Sequence, residues 1–119
     1  MKTITKGTHI EITPAIQEYL DKRLQGIEKF LDENAIVEAE LGKTTNHHRS
    51  GDIFSTHLNV TINGDFVRAS AEEEDLYSSI DVARDELQDI LSSRKDKKQT
   101  LWKRGGQKIK DLIKGVSGK

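Results

Sequence analysis

Histidines are the first residues to weigh for chemistry: His9, the adjacent pair His47-His48, and His57. Neighbouring imidazoles in a loop with Asn46 and Gly51 are a candidate for a transition-metal ion. The chain has no Cys, and no carboxylate stands at ligand spacing from the pair, so a metal centre is disfavoured. His57 falls on the polar side of an alternating stretch, where an imidazole is ordinarily a surface group. The run Glu72-Glu73-Glu74-Asp75 offers four carboxylates for a cation. The same run suits the start of a helix, whose positive end favours acidic residues. The chain has no Gly-rich phosphate cradle, no nucleophile elbow and no acid/base pair. These absences argue against an enzyme, a cofactor or a small-molecule substrate.

The basic residues carry more information. The formal net charge is -1, but it is segregated. Residues 1–93 hold 9 Lys+Arg against 18 Asp+Glu, a charge of -9, and residues 94–119 hold 10 against 2, a charge of +8. A basic end on an acidic body points to a polyanion or a membrane surface. Candidate phosphate-contacting residues are Arg94, Lys95, Lys97, Lys98, Lys103 and Arg104 near the end of the last helical stretch. Arg84 lies earlier in that stretch, and Lys22, Arg23 and Lys29 lie in the first one. Such groups give affinity and position but little base readout, which suits a structured RNA recognised by shape. The polar sheet face predicted below lacks paired exposed aromatics, so base stacking is not expected.

The elements that must carry these cations are legible. Ile4 between Thr residues predicts a short strand ending near Gly7. Thr13-Pro14 predicts a helix start, Thr as the cap and Pro in the first turn, where its missing N–H does no harm. Ile16, Leu20, Leu24, Ile27 and Leu31 then form one apolar stripe, flanked by Tyr19 and Phe30. Lys22 and Lys29 fall on the opposite face, Arg23 at its edge and Gly26 on the exposed side. Asp32-Glu33-Asn34 is expected to close this helix. The period then changes to two. Val37, Ala39 and Leu41 alternate with Glu38 and Glu40, and after a polar loop over 44–52 Phe54, Thr56, Leu58, Val60 and Ile62 line the buried side of a long strand. Asn63-Gly64 signals a tight hairpin, and Val67, Ala69 and Ala71 continue the buried side on the return. Asp75 is the expected cap of a second helix with the stripe Leu76, Ile80, Ala83, Leu87, Ile90 and Leu91, running out near Lys97-Lys98. The fold class is α+β in the order β-α-β-β-β-α. Because each strand has one apolar face, both helices should cover the same side of a four-stranded sheet. Residues 1–98 are read as one domain. Residues 99–119 are read as a basic amphipathic tail, with Ile109, Leu112, Ile113 and Val116 at helical spacing and too short to be stable alone.

Glu11-Ile12-Thr13-Pro14-Ala15-Ile16, Ile27-Glu28-Lys29-Phe30, Ala69-Ser70-Ala71-Glu72 and Asp75-Leu76-Tyr77-Ser78-Ser79-Ile80-Asp81 resemble the ribosome hibernation promoting factor family. That family includes the ribosome-associated translation inhibitors, formerly described as sigma-54 modulation proteins. The resemblance covers about residues 1–98 and is of the short type. It implies the same element order, and binding to small-subunit rRNA between head and body. Occupation of the mRNA and tRNA channel would keep an idle ribosome silent. It further implies that Arg23 and Lys29 match basic positions of the first helix, that Lys95 and Lys97 match the basic end of the last, and that Tyr77 helps to seat that helix. Gly26 stands where relatives often have Lys, Asp89 where many have Arg, and Ser92-Ser93 at an often basic place.

Two other readings remain at this level: a general structured-RNA module, and a membrane or protein-interaction factor acting through the tail. The acidic start Glu73-Glu74-Asp75 argues against a double-stranded-RNA domain, whose last helix begins with Lys. The N-terminus has no signal-peptide apolar stretch, so a cytoplasmic protein, monomeric when free, is expected.

Overall fold

The structure, a computed structural model, describes residues 1–45 and 51–103; for residues 45 and 95–103 the description is confined to the backbone. The elements are β1 (Lys2–Thr8), α1 (Pro14–Gln25), a 3₁₀ turn (Glu28–Phe30), β2 (Ile36–Thr45), β3 (Asp52–Ile62), β4 (Asp65–Glu73) and α2 (Leu76–Lys103). They form a four-stranded sheet in the order β1-β2-β3-β4. β1 and β2 run parallel, so their connection must cross over the sheet, and α1 makes that crossover. The other two pairings are antiparallel.

Local chemistry explains the boundaries. Thr13 Oγ1 accepts a hydrogen bond from the Ile16 amide at 3.2 Å, with Pro14 in the first turn. Asn63 and Gly64 take φ of 50° and 83°, the paired positive angles that a two-residue hairpin needs. Asp75 Oδ2 accepts from the Ser78 amide at 3.0 Å and from its hydroxyl at 3.2 Å, capping α2.

The period-two and helical stripes meet in one core. Ile16, Leu20, Leu24 and Ile27 pack with Val37, Ala39, Leu41, Leu58 and Val60 from the strands and with Leu76, Ile80, Ala83, Leu87 and Leu91 from α2. Both helices therefore lie on one side. The opposite side of the sheet is open and polar, with Lys6 paired to Glu38 at 3.6 Å and Arg68 beside His57 at 3.1 Å.

Three expectations need correction. The first helix does not run on to Asp32-Glu33-Asn34. It stops at Gln25, and Ile27 reaches the core through a tighter turn that donates to the Leu24 carbonyl. Gly26, the poorest helix former available short of Pro, sits at the break. Nor is Gly26 on an exposed face: a Cβ there would collide with Arg84 Nη2. The second helix also runs past Lys97-Lys98, because no Gly or Pro interrupts it before Gly105. Most of the proposed tail, including Arg104, lies outside the described residues, as does the His47-His48 pair.

Among the described residues, the core contains one polar pair. Thr56 of β3 and Ser79 of α2 are both fully buried, with their hydroxyl oxygens 2.7 Å apart. Ser79 donates its only proton to the Leu76 carbonyl at 2.7 Å, so Thr56 must donate to Ser79. Ser79→Ala would strand the Thr56 hydroxyl in the core and should lower stability by about 1–3 kcal/mol. Thr56→Val leaves Ser79 still bonded to Leu76 and should lower it less, and the double variant should recover some of the S79A loss. Urea unfolding of the three variants checks this order.

Candidate nucleic-acid interface

Apart from Lys22, and from Arg104 outside the described residues, the cations named from the sequence fall into three groups. The first lies where α1 meets α2. Arg23 Nε is 2.9 Å from Asp81 Oδ1, an ion pair without good N–H alignment, and its Nη2 is 3.5 Å from Asp85 Oδ1. Arg84 reaches across from α2: Nε donates to the Arg23 carbonyl at 3.3 Å, and Nη1 donates to Asp85 Oδ1 at 2.7 Å. Its guanidinium thus lies over Gly26 and helps to cap the C-terminal end of α1, where a cation is favoured.

The second group flanks a cleft of about 300 Å³ lined by Lys29, Phe30, Leu31, Ile62, Leu91 and Arg94, among others. The Lys29 ammonium is 5.3 Å from the Phe30 ring centre, and Arg94 pairs with Asp65 beside the hairpin at 2.9 Å. The third group comprises Lys95, Lys97, Lys98 and Lys103 on the last turns of α2, where the backbone alone is described. Lys22 stands apart on the outer face of α1 and pairs with Glu18 at 3.3 Å.

Asp65, Asp81 and Asp85 are partners that the sequence reading missed. Arg23 and Arg94 lie in different elements from their carboxylates, so no local pattern joins them, and Arg84 and Asp85, though neighbours on α2, occupy adjacent helix positions that do not ordinarily face each other. Tyr19 belongs to the same junction. Its hydroxyl donates to Asp81 Oδ1 at 2.6 Å, and its ring meets Tyr77 edge-on at 4.9 Å between centres. The hydrogen bond to Asp81, then burial, then the charge of Asp81 hold the Tyr19 phenol above its ordinary pKa.

Other surfaces have less to offer an RNA. A concavity of about 510 Å³ is lined by Ile53, Glu72, Glu73, Glu74, Asp75 and Ser78, and its sign is wrong for phosphate. On the open sheet face Phe66 is 65% exposed, but among the described residues the other large apolar groups there, Ile4, Ile36 and Ile53, are not aromatic, so a stacking platform is not assembled. Among the described residues, no three His, Asp or Glu converge as metal ligands, and no helix is long and apolar enough to cross a membrane.

Comparison with known proteins supplies the decisive observation. Residues 3–99 match the family model described as Sigma 54 modulation protein / S30EA ribosomal protein. The chain belongs to that family. A ribosome hibernation promoting factor from Klebsiella oxytoca is 30% identical over 93 residues, covering 76% of this chain and 90% of the relative. One from Pseudomonas putida is 28% identical over 101 residues, covering 85% and 93%. The solved N-terminal domain of Protein Y from Thermus thermophilus matches with a TM-score of 0.65 at 26% identity, covering 76% of this chain and 96% of that one. A ribosomal subunit interface protein from Coxiella burnetii shares the fold, with a TM-score of 0.67 at 23% identity over 81% of this chain and 99% of that one. The Asp75 to Asp81 segment that carries the resemblance to S30EA proteins has a visible physical use here: it provides the α2 cap, the buried Ser79 and the Asp81 acceptor.

Because the Tyr19 pKa is raised in the folded state, its contribution is fully present below the unfolded value near 10 and is lost as pH rises through the higher folded value. Tyr19→Phe keeps the ring contact and removes the donor. It should lower stability at neutral pH by about 1 kcal/mol or less. Urea midpoints measured from neutral to strongly alkaline pH should then fall less in Y19F than in the wild type.

Proposed function

We propose that this chain is a ribosome hibernation factor. It binds small-subunit rRNA in the mRNA and tRNA channel and inhibits translation by occupying that space. The observation that carries the reading is the family match over residues 3–99, together with relatives named as ribosome hibernation promoting factors. The helix pair is the surface best suited to the contact. Together with the 3₁₀ turn it displays Lys22, Arg23, Lys29 and Arg94, and α2 extends a Lys-rich end beyond Leu91, the last buried core residue of α2 among those whose side chains are described. The mechanism is steric: phosphate contacts hold a rigid wedge where mRNA and tRNA must pass, and no bond is made or broken. Arg104 and the rest of residues 104–119 add charge to the same end and are assigned the role of strengthening the attachment. The free factor is assigned as a cytoplasmic monomer.

Co-sedimentation with isolated small subunits across a salt series tests this. Affinity should fall with salt by roughly 0.9 log units per phosphate contact per tenfold rise, on the duplex-DNA scale. The triple variant Lys95→Glu, Lys97→Glu, Lys98→Glu should bind far more weakly and with a shallower salt slope. Initiator tRNA and mRNA should displace the wild type. Absence of binding at low salt, or binding indifferent to tRNA and mRNA, would refute the proposal.

A further inference from the structure

One carboxylate oxygen bridges two guanidinium groups on the helix surface. Asp85 Oδ1 lies 2.7 Å from Arg84 Nη1 and 3.5 Å from Arg23 Nη2. Adjacent residues on a helix do not naturally face each other, so the Arg84 side chain has been turned toward its neighbour by other contacts. Those contacts are the Arg23 carbonyl, which accepts from Nε, and Gly26, over which the guanidinium lies. Arg23 is fixed in turn by Asp81. The Arg84 and Arg23 side chains are 18% and 34% exposed, whereas the Asp85 side chain is 62% exposed. Two anchored cations therefore share one loosely held anion at the water boundary.

We infer that Arg23 and Arg84 form a seat for a phosphate group, and that Asp85 is a resident competitor for it. The inference rests on the rRNA-binding reading for the identity of the phosphate. The chemistry is direct exchange. A phosphodiester oxygen carries the same charge and accepts the same N–H groups as the Asp85 carboxylate, in a fork geometry that guanidinium favours. Asp81 remains paired to Arg23 when Asp85 swings into water. The seat then holds two guanidinium charges against one carboxylate, a net attraction for an anion. Displacing Asp85 is cheap because partly exposed ion pairs are weak. Its presence lowers affinity for stray phosphates and leaves the seat open to a polyanion that arrives with many contacts at once.

The test is NMR of the arginine Nε–H groups in the full chain titrated with inorganic pyrophosphate. The Arg23 and Arg84 signals should move. In Asp85→Asn, which keeps the side-chain shape and an acceptor for Arg84, the midpoint should fall about two- to fivefold, the factor expected for losing one partly exposed ion pair. Asp89→Asn removes a carboxylate one turn further along α2 and should shift the midpoint less. In an Arg84→Gln background, D85N should add little. An equal shift for D85N and D89N, weaker pyrophosphate binding in D85N, or silent Arg23 and Arg84 signals would each overturn the inference. Co-sedimentation of D85N with small subunits is the separate readout of the parent reading. Tighter binding there supports both. A responsive pyrophosphate titration without any subunit binding upholds the seat and removes the rRNA assignment.

Discussion

Everything in this domain depends on burying one face of one sheet. Val37, Ala39, Leu41, Leu58, Val60 and Ala69 point the same way because side chains alternate along strands and the strands are in register. A face of that size must leave water, and two amphipathic helices are what the chain has to cover it. Both helices are thereby forced onto one side, and they must touch. Their outward surfaces lie on the same side of the molecule while the far side of the sheet stays wet. As a consequence of this covering Arg23 of α1 meets Arg84 of α2, and Lys29 of the 3₁₀ turn shares a cleft with Arg94 of α2, although the members of each pair lie far apart along the chain.

The junction between the helices then has its own electrostatic logic. Two arginines and two aspartates alternate across it, with Tyr19 as a neutral donor to the same Asp81 oxygen. Such a lattice at the water boundary adds little net stability pair by pair. Its effect is on conformation, because each guanidinium has fixed partners and so loses most of its rotamer freedom before any ligand arrives. This separates Arg23 and Arg84 from Lys22, whose ammonium is largely in solvent and whose partner Glu18 is as exposed as it is.

Local signals carried the reading of the fold. Thr13-Pro14, Asn63-Gly64 and the Asp75 cap act within three residues of themselves, so they could be read directly from the chain. The element order followed, as did the shared side of the helices. The end of α1 did not, because the group that occupies the space at Gly26 comes from Arg84 in another element. Thr56 could be placed on the inward face by alternation, but its need for Ser79 could not be read, since the two hydroxyls meet only when α2 is laid on β3. The candidate interface shows the same division. Basic residues are visible as types, and the family resemblance gave Arg23 and Lys29 their expected role. That Arg84 caps α1, that Arg94 is tied to Asp65 and that Asp85 stands between two arginines are facts of packing.

The buried Thr56–Ser79 contact also has a mechanical consequence. It lies in the first turn of a 28-residue helix, so it acts as a key in a keyway close to one end of a long rod. Sliding or turning α2 against the sheet would separate a pair of hydroxyls that have no water to turn to. From Ser79 to Lys103 the rod measures about 36 Å at 1.5 Å per residue, so a tilt of about 5° at the key would move the far end by about 3 Å. A 2.7 Å contact deep in the core is thereby felt as position at the far end of the rod.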